Sequence, residues 1–410
     1  MKYGLLVNKY CRNLGDDVQS YAEAHFLPRV DYLVDREEID SFKSKDDERV
    51  AVILGAWWSG RKWNFPPPNC IYPLLTAIHV NLERLQVYGG HPGRSPIRDE
   101  WLSGVGGEYF KQYGPVGARD IKTMEAFERY GIPAYFSGCV TLTLPEQRRI
   151  KPKNEYICLV DVAPEVEKKI QEDLKDSGVD IRVMTHFRPT ARTEAEASDW
   201  EFRKKEVEEL LTAYQNAKCV VTRRLHVSLP CLAMGVPVLC VFPDKSRTDR
   251  LEPYIDWLHF VRVKNFISGK FDYDLLNPKP NKEVYIETRE KLAKQMRDFV
   301  EEVKNLENPP VITTYTEEEK ILWQNQLMKK ALKEWQPLSK KMHQELAKYE
   351  KKRIKRAEMK KGQAKSKPKA EQPKSKPQIK QPKGKPKTKV YKNARRSVGK
   401  VLRKLGVKKG

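Results

Sequence analysis

The stretch VVTRRLHVSLPCLAMGVPVLCVF, residues 220–242, indicates how this chain is built. β-branched and apolar residues open and close it, and small and apolar residues at helical spacing lie between them. This order predicts a strand, a helix and a second strand, which is the βαβ unit of a parallel sheet. Arg223, Arg224 and His226 lie at the turn between the first strand and the helix. Such groups beside a buried sheet need a partner, either in the protein or in a ligand.

The same alternation of β-rich runs and helical patterns continues on both sides of this unit. A polar break, EQRRIKPKN at residues 146–154, separates two such series, each about 150 residues long. Alternating strands and helices are typical of parallel α/β sheets, whose ligands bind at the carboxyl ends of the strands. We therefore predict an α/β fold with two Rossmann-like domains, residues 1–150 and 151–310, and a cleft between them. The predicted strands are 3–8, 30–35, 50–57, 115–119, 133–137, 156–162, 181–184, 218–222 and 260–263, and the predicted helices are 16–27, 120–130, 164–177 and 200–217.

The C-terminal part of the chain differs in composition. Residues 351–410 hold 25 basic and 2 acidic residues, so the net charge of +23 lies in this tail and the rest of the chain is neutral. We predict a charged helical extension at residues 311–360, where Met328 and Leu332 begin a heptad-like stripe. A helix packed across the two domains and a coiled coil between chains both fit that stripe. Residues 361–410 are predicted to be a disordered Lys/Pro-rich tail that ends in a basic amphipathic helix.

The cysteines and the N-terminus bear on the compartment. The 7 cysteines are scattered, with no pair at C-x-x-C spacing, and several lie in apolar runs where a free thiol behaves as a small hydrophobic side chain. The N-terminal apolar run is too short for a signal peptide, and no segment reaches the length of a membrane span. We expect a cytoplasmic protein, with the basic tail as a means of peripheral contact with the inner membrane face.

The turn RRLH is the first candidate site. Arg224 and His226 are predicted at the carboxyl end of a strand and the N-terminus of a helix, where the helix dipole adds partial positive charge. Pro230 fits the first two turns of that helix, where a missing N–H costs little. This combination favours an anion that carries phosphate or carboxylate. The alternative is structural: Arg224 pairs with an acidic residue of the other domain, and His226 is a hydrogen-bonded core residue.

A second strand-to-helix junction lies at Arg119 and Asp120. Asp120 is expected to cap the helix that follows. Arg119 then faces the same cleft from the first domain. The alternative is a surface ion pair of Arg119 with Asp120 or Glu125, which would contribute little to stability.

Three further residues are candidates for binding or activating an acceptor. Asp16 and Asp17 follow the first predicted strand, where two acidic groups suit a hydroxyl-rich molecule better than a phosphate, with either residue as a base. The alternative is that they only cap the first helix. His186 follows a strand of the second domain and is expected at the cleft rim, or as a structural histidine. The G-x-G-x-x-G fingerprint is absent, and no Cys/His cluster has metal-ligand spacing, so we predict no metal and no cofactor.

Three stretches of this chain resemble the polysaccharide pyruvyl transferase family. The first two are GPVGARDIKTMEAFERYGIPAYFSGCVTLTL, residues 114–144, and LLTAYQNAKCVVTRRLHVSLPCLAMGVPVLCVF, residues 210–242. The third, NKYCRNLGDDVQSYA at residues 8–22, is similar to the N-terminal signature of that family. The block R-L-H…G-V-P-V is the most specific part of the resemblance. The basic tail lies outside it.

The resemblance implies a fold and a reaction. The two Rossmann-like domains would have a glycosyltransferase-B-like arrangement, and phosphoenolpyruvate would be the donor substrate. The product would be a pyruvate ketal that bridges two hydroxyls of a sugar. The donor-binding arginines of the family fall on Arg119 and Arg224, Leu225 lines the donor site, and the general acid falls on His226. An acid with a pKa near neutrality suits protonation of the enol carbon, and histidine meets that need.

Two other functions remain consistent with these residues. A sugar-nucleotide glycosyltransferase of the same two-domain fold would place RRLH on a diphosphate. A core without catalytic activity would leave the tail as a polyanion-binding or membrane-binding segment. The apolar face of the last segment favours an anionic membrane over nucleic acid. The expected partners are therefore a glycan or lipid-linked saccharide acceptor and, through residues 361–410, an anionic membrane surface.

Overall fold

The computed structural model describes residues 1–58, 65–82, 87–88, 91–92, 99–150, 152–245, 250–306, 315–333, 336 and 344. Met1–Lys348 form one compact unit. The predictions for the basic tail at residues 361–410, and for the stripe beyond residue 333, lie outside the described residues. Within the described part of the chain, every helix is too short or too polar to span a lipid bilayer.

The first half of the chain is built on a parallel sheet of four strands in the order β2–β1–β3–β5. Strand β1 lies inside this sheet because its run GLLV is apolar on both faces, and all four of those residues are buried. Further short strands extend this half. β9 and β10 are parallel, and the backbone of Gly117 in β9 hydrogen-bonds to Leu75 and Ile78 just after β5. The strands of this half are β1 (Lys2–Val7), β2 (Tyr32–Asp35), β3 (Val50–Ile53), β4 (Trp57–Trp58), β5 (Ile71–Leu74), β6 (His79–Val80), β7 (Val87–Tyr88), β8 (His91–Pro92), β9 (Val116–Ala118) and β10 (Ala134–Phe136), and its helices are α1 (Leu14–Ala24), α2 (Gly104–Tyr113) and α3 (Ile121–Arg129).

The second half contains a parallel sheet of five strands in the order β12–β11–β13–β14–β15. Strands β11 and β13 are buried along their whole length, as expected for the inner strands of a sheet with helices on both faces. The strands are β11 (Tyr156–Val160), β12 (Asp180–Met184), β13 (Cys219–Thr222), β14 (Val238–Phe242) and β15 (His259–Arg262), and the helices are α4 (Pro164–Asp173), α5 (Glu194–Ser198), α6 (Trp200–Gln215), α7 (Leu225–Ala233), α8 (Val263–Ile267) and α9 (Ile286–Lys304). The predicted α/β class with parallel sheets is confirmed.

The two halves share one apolar core. A single cluster contains Val18 and Tyr21 of α1 together with Leu211 of α6 and Val227 of α7, and all of these side chains are buried. The outer faces of the two sheets have separate apolar clusters. The contact between the halves is therefore part of the hydrophobic core.

Helix α9 contacts both halves, although the sequence patterns did not predict it. On one side Gln295 accepts a hydrogen bond from Thr76 (2.9 Å) and Glu302 accepts one from Tyr72 (3.0 Å), both in the first half. On the other side Arg289 donates to the carbonyl of Ala233 in α7 (3.4 Å). The chain thus returns to its N-terminal half after completing the second sheet.

The C-terminal extension packs on the first half as far as it is described. Residues 317–333 form a helix, and Trp323 and Leu327 join the apolar cluster that includes α2, whereas Met328 and Leu332 of the predicted stripe are exposed. A Cβ atom on Gly104 or Gly106 would lie 2.9 Å from the Trp323 ring, so glycine at these two positions allows the close approach. Helix α2 was not predicted because three glycines oppose helix formation in isolation. The packed indole compensates for that low propensity.

Candidate active site

The site is assembled around the start of helix α7. Strand β13 ends at Thr222, the side chain of Arg223 is exposed, and Arg224 is the N-cap residue of the helix. The ψ angle of His226 is 20°, which is not helical. Pro230, in the second turn as predicted, lacks the N–H that would bond to the carbonyl of His226, and its ring opposes a regular turn there. The helix therefore starts with a local distortion at His226.

Arg224 is held by its own half of the chain. Its Nε donates a hydrogen bond to Asp161 Oδ2 (3.0 Å), and its guanidinium carbon lies 4.5 Å from the centre of the Phe187 ring. Asp161 follows β11 and belongs to the same half as Arg224. The structural alternative required an acidic partner from the other domain, and Arg224 does not have that partner. Leu225, the next residue, is half-buried and packs against the shared core.

His226 contacts the first half directly. A Cβ atom on Gly15, the second residue of α1, would lie 2.8 Å from His226 Nδ1. The other ring nitrogen, Nε2, is buried and has no hydrogen-bond partner among the described residues. Buried polar atoms in native proteins are nearly always paired with protein, water or a ligand. His226 is thus not the hydrogen-bonded core histidine of the structural alternative.

Positive charge surrounds His226. Burial, and after it the charges of Arg119 and Arg250, hold the pKa of His226 well below its ordinary value of 6.5, and His186 and His79 act in the same direction. The imidazole is therefore neutral near pH 7 when the site holds no anion. A bound anion would neutralise the arginines and raise this pKa.

Arg119, from the first half, approaches the start of α1 near His226. Its side chain is 1% exposed, and one terminal nitrogen donates a hydrogen bond to Gln19 Oε1 in α1. Its Nε is buried without a partner among the described residues. Gln19 and Gly15 lie one turn apart on α1, so Arg119 and His226 approach the same end of that helix. The surface ion pair considered for Arg119 does not form.

Asp120 caps helix α3, as predicted, and also binds a histidine. Its carboxylate accepts hydrogen bonds from the backbone N–H of Thr123 (2.9 Å) and from Nδ1 of His79 (2.6 Å). Burial lowers the pKa of His79 to about 4 in spite of Asp120, so the ring is neutral and Nδ1 carries the proton. Sequence reasoning missed His79, because nothing local connects it with Asp120 41 residues later.

Asp16 and Asp17 lie in different environments. Asp17 is fully buried and bonds to Arg192 (2.9 Å) and Arg203 (2.5 Å), both from the second half. Asp16 is partly exposed, and its carboxylate lies 3.8 Å from Arg36. The cap of α1 is neither aspartate but Asn13, whose side chain accepts a hydrogen bond from the Gly15 N–H.

Asp16 lines a pocket at the carboxyl ends of β1 and β3. The pocket is small: its enclosed part has room for about one water-sized molecule, and it is open to solvent. Its polar lining comes from Asn8, Asp16, Gln19, Ser20 and Arg36. Because Gln19 also bonds to Arg119, this pocket adjoins the group that contains His226.

His186 is 1% exposed, so it does not form the cleft rim. Its ring lies parallel to that of Tyr214, with the ring centres 5.9 Å apart, and its Nε2 has no partner among the described residues. Burial and the nearby charge of Arg224 lower the pKa of His186 to about 3. Its backbone carbonyl accepts a hydrogen bond from Leu14 N–H (2.8 Å), which joins the two halves.

The structure therefore brings Arg119 and His226 together at the start of α1, with Arg224 on the adjoining turn. Asp16 lies in the neighbouring pocket, whereas Asp17 and His186 are buried in the contact between the halves. Within the described ranges, no three His, Cys, Asp or Glu side chains are arranged to hold a metal ion. The absence of a required metal or cofactor stays a prediction.

Comparison with known proteins adds one finding. The family model described as polysaccharide pyruvyl transferase matches residues 13–244, which is more than half of the chain. The matched residues include α1, Arg119 and the whole of α7, so the match covers the site from both halves. No curated protein matches the chain.

Proposed function

The chain belongs to the polysaccharide pyruvyl transferase family and is a transferase, and we propose that it moves the enolpyruvyl group of phosphoenolpyruvate onto a glycan. The product is a pyruvate ketal that bridges two sugar hydroxyls. One observation carries this proposal: Arg119 and His226, from different halves, each keep a buried nitrogen at the same end of α1 that has no partner among the described residues. A small anion between the halves would supply both partners.

The groups around His226 suit this donor. Two parallel sheets with helix α9 returning to the first half support a glycosyltransferase-B-like arrangement. The donor carries a phosphate and a carboxylate, and guanidinium groups bind both well. Arg119 and Arg224 are assigned to the anion, with the N-terminus of α7 adding partial positive charge. Leu225 is assigned to the apolar side of the donor, beside its methylene carbon.

His226 is assigned the role of general acid. Donor binding raises its pKa, and the protonated imidazole transfers its proton to the methylene carbon of the donor. This step creates a methyl group and an electron-poor carbon that a sugar hydroxyl attacks, with loss of the hydroxyl proton. Phosphate then leaves with the electrons of its C–O bond, and a second hydroxyl attacks the same carbon. Of the two hydroxyl protons, one replaces the proton given by His226 and the other leaves on phosphate.

The acceptor is assigned to the open mouth of the pocket that Asp16 lines. Its amide, carboxylate and guanidinium groups suit the hydroxyls of a sugar, and Asp16 is assigned as the base. Asp17 is less suited, because two arginines already occupy its oxygens. His186 is less suited, because its ring is buried against Tyr214.

We further propose that the acceptor is a lipid-linked saccharide at the cytoplasmic face of a membrane. The composition of residues 361–410, with Val and Leu at helical spacing in a basic final segment, supports contact with anionic lipid. Removing residues 361–410 is expected to abolish binding to phosphatidylserine vesicles and to leave turnover of a soluble acceptor unchanged. Vesicle binding that persists without the tail would contradict this part of the proposal.

Thermal unfolding of the full chain with ligands tests the donor. Phosphoenolpyruvate is expected to raise the midpoint for the native protein, and Arg224→Ala should remove that increase. Arg223→Ala is the matched control, because this neighbouring arginine is exposed and should leave the increase intact. An increase with nucleotide sugars and none with phosphoenolpyruvate would replace the proposal by a sugar-nucleotide glycosyltransferase.

A further inference from the structure

Asp161, which follows the end of β11, combines a left-handed backbone conformation with a carboxylate that accepts three hydrogen bonds. Its φ angle is +50°, a left-handed conformation that aspartate tolerates better than most residues. The carboxylate accepts hydrogen bonds from Thr185 Oγ1 (2.7 Å), from the backbone N–H of His186 (3.0 Å) and from Arg224 Nε (3.0 Å). One side chain thus connects strand β11, the loop after β12 and the start of α7.

These contacts fix the orientation of Arg224. Asp161 engages only Nε, and the Phe187 ring lies against one face of the guanidinium. Among the residues that the structure describes, none makes a hydrogen bond with the two terminal nitrogens of Arg224. The planar fork that binds phosphate or carboxylate in a bidentate way is therefore left open.

Asp161 stays ionised at neutral pH. Burial opposes ionisation, but the hydrogen bonds from His186 and Thr185 and the charge of Arg224 outweigh it, and the pKa of Asp161 is lowered. An uncharged amide at this position would keep the size of the side chain. It would lose the ionic attraction to Arg224, and only one of its two terminal atoms would be an acceptor.

We propose that Asp161 is a positioning residue for the donor site, which holds the Arg224 guanidinium so that its two terminal nitrogens meet the anion. This inference rests on the proposed function, in which Arg224 binds phosphoenolpyruvate. Asp161 itself does not touch the donor. Its effect on binding passes entirely through Arg224.

The same carboxylate also holds the loop that joins the two halves. The backbone of His186, which donates to Asp161, accepts a hydrogen bond from Leu14, and Phe187 forms an antiparallel bridge with Asn13. A purely structural role for Asp161 would act through this loop. The experiment must therefore separate the two effects.

The first measurement needs no donor. The full chain is labelled with nitrogen-15 at arginine, and the Hε resonance of Arg224 is assigned by its absence in Arg224→Lys. Asp161→Asn is expected to shift or broaden that resonance. Asp31→Asn is the matched control, because Asp31 also accepts a backbone N–H (2.8 Å) and an arginine Nε (2.8 Å), but from Tyr3 and Arg29. It should leave the Arg224 resonance unchanged.

The second measurement is a double-mutant cycle on the dissociation constant of phosphoenolpyruvate. Asp161→Asn is expected to weaken binding about ten- to a hundredfold, the range for a lost charge-assisted hydrogen bond, with kcat nearly unchanged. In the Arg224→Ala background the same substitution should have no further effect, because the two residues act as one unit. Thr185→Val removes a neighbouring bond to Asp161 and should change binding far less.

The outcomes distinguish the inference from the function on which it rests. A weakening that is additive with Arg224→Ala, or an unchanged Arg224 resonance in Asp161→Asn, would overturn the positioning role. A native protein that does not bind phosphoenolpyruvate at all would overturn the proposed function. In that case the resonance alone still decides whether Asp161 holds Arg224.

Discussion

Gly15 at the start of α1 lies directly against the imidazole of His226, across the boundary between the two halves. The space that a side chain at position 15 would fill is occupied by His226 Nδ1, 2.8 Å from the ideal Cβ position. Asn13, two residues earlier, caps the helix and fixes this turn. The first half of the chain therefore sets the position of a side chain that belongs to the second.

We expect Gly15→Ala to reduce turnover much more than it reduces stability. The added methyl group must displace the imidazole, and a misplacement of about 1 Å of a reacting group costs on the order of a hundredfold in rate. Steady-state kinetics and thermal unfolding measure the two effects. In the His226→Ala background the contact with Nδ1 is absent, and only the Cβ atom of residue 226 (3.2 Å) and Asn13 Oδ1 (3.3 Å) stay close to the methyl group, so Gly15→Ala should have a much smaller effect there. A rate loss of the same size in this background would mean that Gly15 acts in another way.

Donor binding should be accompanied by the uptake of about one proton at His226. Burial, and after it the charges of Arg119 and Arg250, keep this histidine neutral in the free protein, and the bound anion offsets the positive charge. The pKa of His226 in the free protein lies below 6.5. Because binding takes up a proton at this residue, the affinity for the donor should rise as the pH falls. Calorimetric titrations in buffers of different ionisation enthalpy measure the uptake.

His226→Gln is the variant that tests this coupling. Glutamine keeps hydrogen-bonding groups at this position but cannot take up a proton, so the uptake at this site should disappear while donor binding remains. An uptake equal to that of the native protein would assign the proton to another group.

The ion cluster of Asp17 with Arg192 and Arg203 should be essential for stability. All three side chains are fully buried, and removing one partner leaves an uncompensated charge. Asp17→Asn is expected to lower the free energy of unfolding by about 3–5 kcal/mol. Arg29→Ala, which removes the more exposed partner of the Arg29–Asp31 pair, should cost less than about 1 kcal/mol. Urea denaturation measures the free energy of unfolding of both variants. Equal losses in Asp17→Asn and Arg29→Ala would contradict the prediction for the buried cluster.

Stability should fall as the pH is lowered from 6.5. His79 and His186 have pKa values of about 4 and about 3 in the folded protein and an ordinary value of 6.5 when unfolded. The unfolded chain therefore binds more protons below pH 6.5. Each histidine lowers the free energy of unfolding by about 1.4 kcal/mol per pH unit, down to its folded pKa. Above pH 6.5 both states are neutral at these positions, and the contribution vanishes.

His79→Gln checks the assignment of this acid sensitivity. Between pH 6.5 and 4, the slope of the unfolding free energy against pH should decrease by the contribution of one histidine, about 1.4 kcal/mol per pH unit. A slope that does not respond to His79→Gln would place the acid sensitivity elsewhere.

The sheets could be predicted from the sequence because their strands are short, apolar and separated by polar turns. Strand β13 and helix α7 lie where the run at residues 220–242 predicts them. The predicted strand at residues 50–57 divides into β3 and β4, since the backbone of Leu54 still bonds to Leu74 whereas Ala56 bonds back to Leu54. Helix α2 depends on a tryptophan more than 200 residues away, a contact that no local pattern contains.

In the candidate site, too, the sequence indicated the residues with a local pattern and not those that depend on distant contacts. Strand-to-helix junctions pointed to Arg119 and His226, because the ends of parallel strands collect ligand-binding groups. Gln19 and Asp161, which hold the two arginines, were missed. Their contacts join residues 100 and 63 positions apart, and a single glutamine or aspartate after a strand has no local feature that marks it.

The core shared by the two halves has a consequence for how this protein melts. Proteins with two Rossmann-like units often unfold in separate steps, one for each unit. Here Val18 and Tyr21 of one half complete the apolar packing of Leu211 and Val227 of the other, so neither half retains a closed interior alone. Calorimetry should record a single cooperative transition for residues 1–348, and a chain cut at residue 150 should yield two aggregation-prone fragments.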